Sequence, residues 1–142
     1  MAKLSTFFSL EEMTRTSTGL PNHPGEQELD RLRNNAHCMD AVREVLGHPI
    51  TVNCAYRSPA VNAKVGGVPS SAHLDGDATD FTCAGFGSPY EVCKAIAGVI
   101  KFDQLIQEGT WVHISFAKAM RGQTLTRRVE GGKTRYVLGI WR

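Results

Sequence analysis

Ser71-Ala72-His73-Leu74-Asp75-Gly76-Asp77-Ala78-Thr79-Asp80, answered further along by Trp111-Val112-His113, is the stretch on which the reading of this chain turns. It offers two imidazoles and a carboxylate. Borderline-soft nitrogen plus one hard anion, with a fourth position left open, is the donor set of a catalytic zinc ion, and such a set works only when rigid elements hold it. Taken singly, His73 reads as a surface-loop histidine, Asp80 as a turn residue and His113 as a satisfied sheet histidine. Together with Gly76 and Ala78, whose small side chains let the backbone pass close to an ion, they read as a metal site. The expected ligands are His73, Asp80 and His113, and the expected cofactor is Zn2+, although similar ligands accept other divalent ions.

The flanking sequence predicts the elements that would hold such a site. Ala78 to Thr82 is strand-like. Asp103–Gln107 and Trp111–Phe116 read as two strands joined by Glu108-Gly109-Thr110. In the second of these, alternation places Trp111, His113 and Ser115 on one face and Val112, Ile114 and Phe116 on the other, so His113 points away from the aliphatic side. Upstream, Ser9-Leu10-Glu11-Glu12 is a capping box with Phe8 and Met13 as its staple, predicting a short helix to about Gly19. Leu29, Leu32, Ala36, Met39, Val42 and Leu46 recur at helical spacing up to Gly47, a structural helix with no chemistry assigned. Ile50–Tyr56 is β-rich; Ser58-Pro59 and Ser88-Pro89 each open a helix. Glu130-Gly131-Gly132-Lys133 marks a final hairpin.

Composition narrows the class. At 142 residues, with 42% hydrophobic and 21% charged content, the chain suits one globular domain over residues 1–142, and fourteen glycines favour a loop-rich α+β protein over a helical bundle. A formal net charge of +2 does not argue for nucleic acid as a partner. Cys38, Cys54, Cys83 and Cys93 form no C-x-x-C pair and read as buried free thiols. Asp75 and Asp77 lack the remaining ligands of an EF-hand loop and are expected to face solvent. The N-terminal residues lack a signal-peptide core and no stretch suits a membrane span, so synthesis in a cytoplasm and no membrane insertion are expected; a monomer is the separate expectation for its assembly.

The pattern His73-x-x-Gly76-x-Ala78-x-Asp80 with Trp111-x-His113 resembles that of the M15 zinc peptidases, the D-Ala-D-Ala carboxypeptidase and L-Ala-D-Glu endopeptidase group that cuts bacterial cell-wall peptides. Tyr56-Arg57-Ser58, Asn62 and Val65-Gly66-Gly67 extend the likeness, with Cys54-Ala55 where the family has Ser-Gly. The likeness runs strongly over residues 50 to 116, and it is to the compact subgroup found in phages and prophages. It implies a hedgehog/DD-peptidase-like fold: a small antiparallel sheet carrying the zinc site, with helices packed on it. It also implies a peptidoglycan stem peptide as substrate and an endolysin released to the wall by a holin or carried by the virion.

The resemblance aims Arg57 into the site, where a guanidinium can bind a substrate carbonyl and the oxyanion formed from it. Ser71, Asn62 and Trp111 are the further candidate substrate contacts. Better-known members carry an acidic residue three before the last histidine ligand, where this chain has Thr110; Glu108 is the candidate that accepts the proton. The competing reading is a non-catalytic module in which the zinc is structural and the domain binds peptidoglycan or forms part of a phage tail.

Overall fold

A computed structural model describes residues 2–142. Local signals placed most elements. Ser9 caps α1 (Leu10–Thr14) in a reciprocal box with Glu12, but the helix stops at Thr14, well short of Gly19. α2 (Glu26–Leu46) ends on Gly47, whose φ of 66° is the left-handed conformation glycine takes without strain. β1 (Thr51–Cys54) precedes α3 (Pro59–Lys64), which Ser58 caps. α4 (Ala72–Asp75), a single turn capped by Ser71, leads into β2 (Ala78–Thr82). α5 (Pro89–Ala97) carries the Ser88–Glu91 capping box. β3 (Gln104–Gln107), β4 (Val112–Ser115), β5 (Gln123–Glu130) and β6 (Lys133–Leu138) complete the chain.

The strands form one six-stranded sheet in the order β1-β2-β4-β3-β5-β6. Its α+β class is as expected, but the sheet is mixed: β3 and β5 run parallel, with Gln104 opposite Gln123, and every other pair is antiparallel. The cause lies in the connection after β4. β4 finishes beside the start of β3, and residues 116–122 cross that end of β3 before β5 begins on its far side. Arg121 holds the crossing by a two-pronged grip on Asp103, at 2.9 and 2.8 Å.

One face of the sheet is core. Phe81, Leu105, Val112 and Ile114 are fully buried with Leu32, Met39 and Val42 of α2 and Val92 and Ile96 of α5. Alternation leaves the opposite face to Asp80 on β2 and to His113 and Ser115 on β4. No helix among the described residues is long and apolar enough to cross a membrane.

Candidate active site

The site is assembled along one row of that second face. Register puts Cys54 of β1 opposite Asp80 of β2, and Asp80 opposite His113 of β4. Adjacent strands thus bring a thiol, a carboxylate and an imidazole side by side, as directly opposed residues in a sheet must be. His73 enters from above on α4. That turn is fixed twice over: Gly76 adopts φ +85°, and an added Cβ there would lie 2.6 Å from the Glu28 carbonyl oxygen of α2. Asn35, fully buried on the apolar face of α2, donates to the Gly76 and Ala78 carbonyls at 3.2 and 3.0 Å and accepts from Thr79 Oγ1 at 2.9 Å. The long helix therefore does more than fill the core: it clamps both sides of the turn between His73 and Asp80.

The three expected ligands come together. His113 Nδ1 lies 2.8 Å from Asp80 Oδ1, and His73 Nε2 lies 3.2 Å from Asp80 Oδ2. The two imidazole rings stand edge to face, 5.2 Å apart. His73 Nδ1 is 2.6 Å from the Ala55 carbonyl oxygen. A carbonyl only accepts, so Nδ1 carries the proton and Nε2 of the neutral ring holds a lone pair. That lone pair is buried, has no hydrogen-bond donor, and faces a carboxylate oxygen. Two acceptors confront each other, and a cation must stand between them. A proton meets the demand when no metal does: burial opposes a charge on His73, yet Asp80 and Cys54 outweigh it and push the imidazole up to about 10. Burial would likewise raise Asp80, but His113 and His73 hold its carboxyl well below the usual range. Fixing the tautomer through the second ring nitrogen is how proteins prepare a histidine ligand. Two nitrogens and a carboxylate suit zinc.

Cys54 is the residue that the sequence left among the inert thiols. Its sulfur lies with a His73 nitrogen and an Asp80 oxygen inside a 4.8 Å cluster that could hold a metal. Its recorded contact with the histidine is to Nδ1, at 4.0 Å, the nitrogen already committed to Ala55. Arg57 Nε donates to the same sulfur at 3.2 Å. Burial resists ionisation of this thiol, but His73 and Arg57 prevail and lower it. Cys54 thus backs the histidine and holds the arginine, while His113 takes the open side of Asp80. Cys38 is half-buried; Cys83 and Cys93 are buried free thiols as expected, the latter pushed up to about 12 by burial.

Arg57 is held at every nitrogen. Besides Cys54, Nη1 donates to Asn62 Oδ1 at 3.2 Å, and Nη2 stands 3.8 Å from Asp80 Oδ2. Asn62 is itself buried and donates to the Val68 carbonyl at 3.0 Å, so its side chain braces the arginine. Asn22, which no sequence signal singled out, ties Tyr56 and Ser58 to the N-terminal loop from both ends of its amide. Ser71 Oγ accepts from the His73 backbone at 3.2 Å. Beyond the Arg57–Asn62 pair opens a cleft of about 550 Å3, with Tyr56, Gly67 and Leu74 in its wall and Glu28 at its edge.

Glu108 is 8% exposed, at the end of β3. Burial pushes its carboxyl up, opposed by a hydrogen bond from Tyr136 Oη at 3.0 Å and by the His113 charge. Tyr136 was not foreseen. Trp111, half-buried beside Glu108, has a ring Nε1 without a partner among the described residues. Asp77, expected in solvent, is instead 6% exposed with Arg31 3.6 Å away, because the Gly76 turn rotates it inward; Asp75 remains exposed.

The Peptidase M15 family model matches residues 6–115. No curated protein matches the chain.

Proposed function

The chain belongs to the M15 peptidase family, and on that footing we propose that it is a zinc-dependent peptidase hydrolysing peptide bonds in peptidoglycan stem peptides. The DD-carboxypeptidase or L-Ala-D-Glu endopeptidase type of cleavage and a role as a phage or prophage endolysin, delivered to the wall by a holin or virion, belong to this reading. The observation that carries it is the buried His73 Nε2 lone pair facing Asp80, with His113 on the other oxygen of the same carboxylate.

His73, Asp80 and His113 would hold the zinc, which when bound supplies Lewis acidity for amide hydrolysis. The remaining work falls to the chain's own groups. Glu108 accepts a proton from the attacking water and returns it to the departing amine, a task suited to a carboxyl raised by burial. Arg57, locked by Cys54 and Asn62, presents a pre-oriented donor to the oxyanion as the carbonyl carbon turns tetrahedral. Ser71 steadies the His73 turn, and the half-buried Trp111 ring offers the substrate a wall. The cleft beyond Asn62 gives the peptide room.

Incubation of the zinc-loaded protein with purified murein, followed by mass spectrometry of the soluble products, tests this reading. New amino termini are expected, and Glu108→Gln is expected to keep the metal and lose nearly all turnover. Wall binding without any new terminus would overturn the proposal in favour of a non-catalytic wall-binding module.

A further inference from the structure

We propose that Tyr136 is a positioning residue for Glu108, delivered to it by the C-terminal hairpin β5–β6. The inference rests on the reading of Glu108 as proton acceptor. Its starting point is that β5 and β6 lie beyond residue 115, where the family match ends, yet they reach the reacting face.

Register explains how. His113, Ile106, Leu125 and Leu138 are opposite one another across β4, β3, β5 and β6. Two residues along each strand, side chains return to the same face. That step leads to Trp111, Glu108, Arg127 and Tyr136. The ladder still holds at this level, since Glu108 N–H donates to the Trp111 carbonyl at 3.0 Å and Arg127 is opposite Tyr136. The second row therefore runs parallel to the metal row, about 7 Å away along the strands.

The hairpin is tied to this turn at a second point. Gln107 Nε2 donates to the Trp141 carbonyl at 2.8 Å, while Thr126 Oγ1 accepts from Trp141 N–H and donates to the Gly139 carbonyl, both at 2.8 Å. These bonds fix the hairpin against the end of β3. Tyr136 remains 48% exposed, so packing alone does not demand that its hydroxyl turn inward.

The hydrogen bond is one-sided in a useful way. Tyr136 Oη donates to Oε1 of Glu108 at 3.0 Å, and Oε2 has no hydrogen-bond partner among the described residues. One oxygen is held and the other is free to take a proton. The charged and titratable groups that bear on Glu108 come from every neighbouring strand: Tyr136 on β6, Arg127 on β5, His113 on β4 and Asp80 on β2. Burial and the Glu108 charge raise the phenol, which keeps its proton and remains a donor.

The test compares Tyr136→Phe with the wild-type chain, both zinc-loaded, on a soluble murein peptide. A hydrogen bond to a charged group is worth roughly a tenfold change in rate. We expect kcat about tenfold lower, KM unchanged, and the acid limb of the kcat profile moved to higher pH, because a lost donor no longer steadies the carboxylate. Zinc content and melting temperature should not move. A variant whose kcat and pH profile superimpose on wild type, while Glu108→Gln is inactive, overturns the role of Tyr136 alone. Full activity in Glu108→Gln overturns the reading of Glu108 itself, and the proposal with it.

Discussion

The two rows of the reacting face are built differently. Asp80 and His113 sit on interior strands, with Cys54 opposite Asp80 on β1, and α2 braces the turn that brings His73 to them from behind through Asn35. Glu108 sits at the end of β3, and its partners Arg127 and Tyr136 come from the edge hairpin β5–β6, whose Tyr136 and Leu138 are exposed. The donors that would hold a cation need fixed geometry, and the core supplies it. The proton acceptor needs a raised carboxyl with one free oxygen; Glu108 is as buried as Asp80, but its single hydrogen bond comes from an exposed hairpin. A difference in what braces each carboxylate thus matches a difference in chemical task.

The comparison can be broken most forcefully at its inner row. Arg57→Ala removes a donor that Cys54 and Asn62 hold in place; kcat should fall about 10²–10³-fold with the metal retained, as steady-state kinetics and metal analysis would show. An unchanged kcat would remove Arg57 from the reacting groups. Gly76→Ala strikes the support behind that row. Its Cβ meets the Glu28 carbonyl at 2.6 Å and φ is +85°, so thermal or denaturant unfolding should show a loss of roughly 2–4 kcal/mol.

The outer row should yield less. Arg121 grips Asp103 and so secures the crossing that delivers β5. Its hydrogen bonds hold the Asp103 carboxyl below its ordinary value. A carboxyl depressed in the folded state contributes stability above its unfolded value, and that contribution disappears as pH falls through the folded one. Arg121→Ala should therefore lower the melting temperature modestly at neutral pH, and the gap from wild type should close under acid. A gap that persists at low pH would show that the ion pair is not what Arg121 contributes.

Legibility in the sequence followed the range of the forces. Helix starts at Ser9, Ser58 and Ser88 were readable because a cap and its partner lie within four residues of each other. The face of β4 that carries His113 was readable because alternation is local. The parallel pairing of β3 with β5 was not, since it depends on which side of β3 a loop lands. Asn35 left a faint signal, an amide among the apolar positions Leu32, Ala36 and Met39. Cys54 was legible only as a departure from the family's serine. Tyr136 left no signal, because its link to Glu108 spans twenty-eight positions and exists only once the sheet has formed.

X-ray absorption at the zinc edge, combined with metal content, tests the centre of this account most directly. The prediction is one zinc per chain, surrounded by nitrogen and oxygen donors at about 2.0–2.1 Å and by no sulfur. A chain without stoichiometric metal, or a sulfur donor at about 2.3 Å that vanishes in Cys54→Ser, would contradict it.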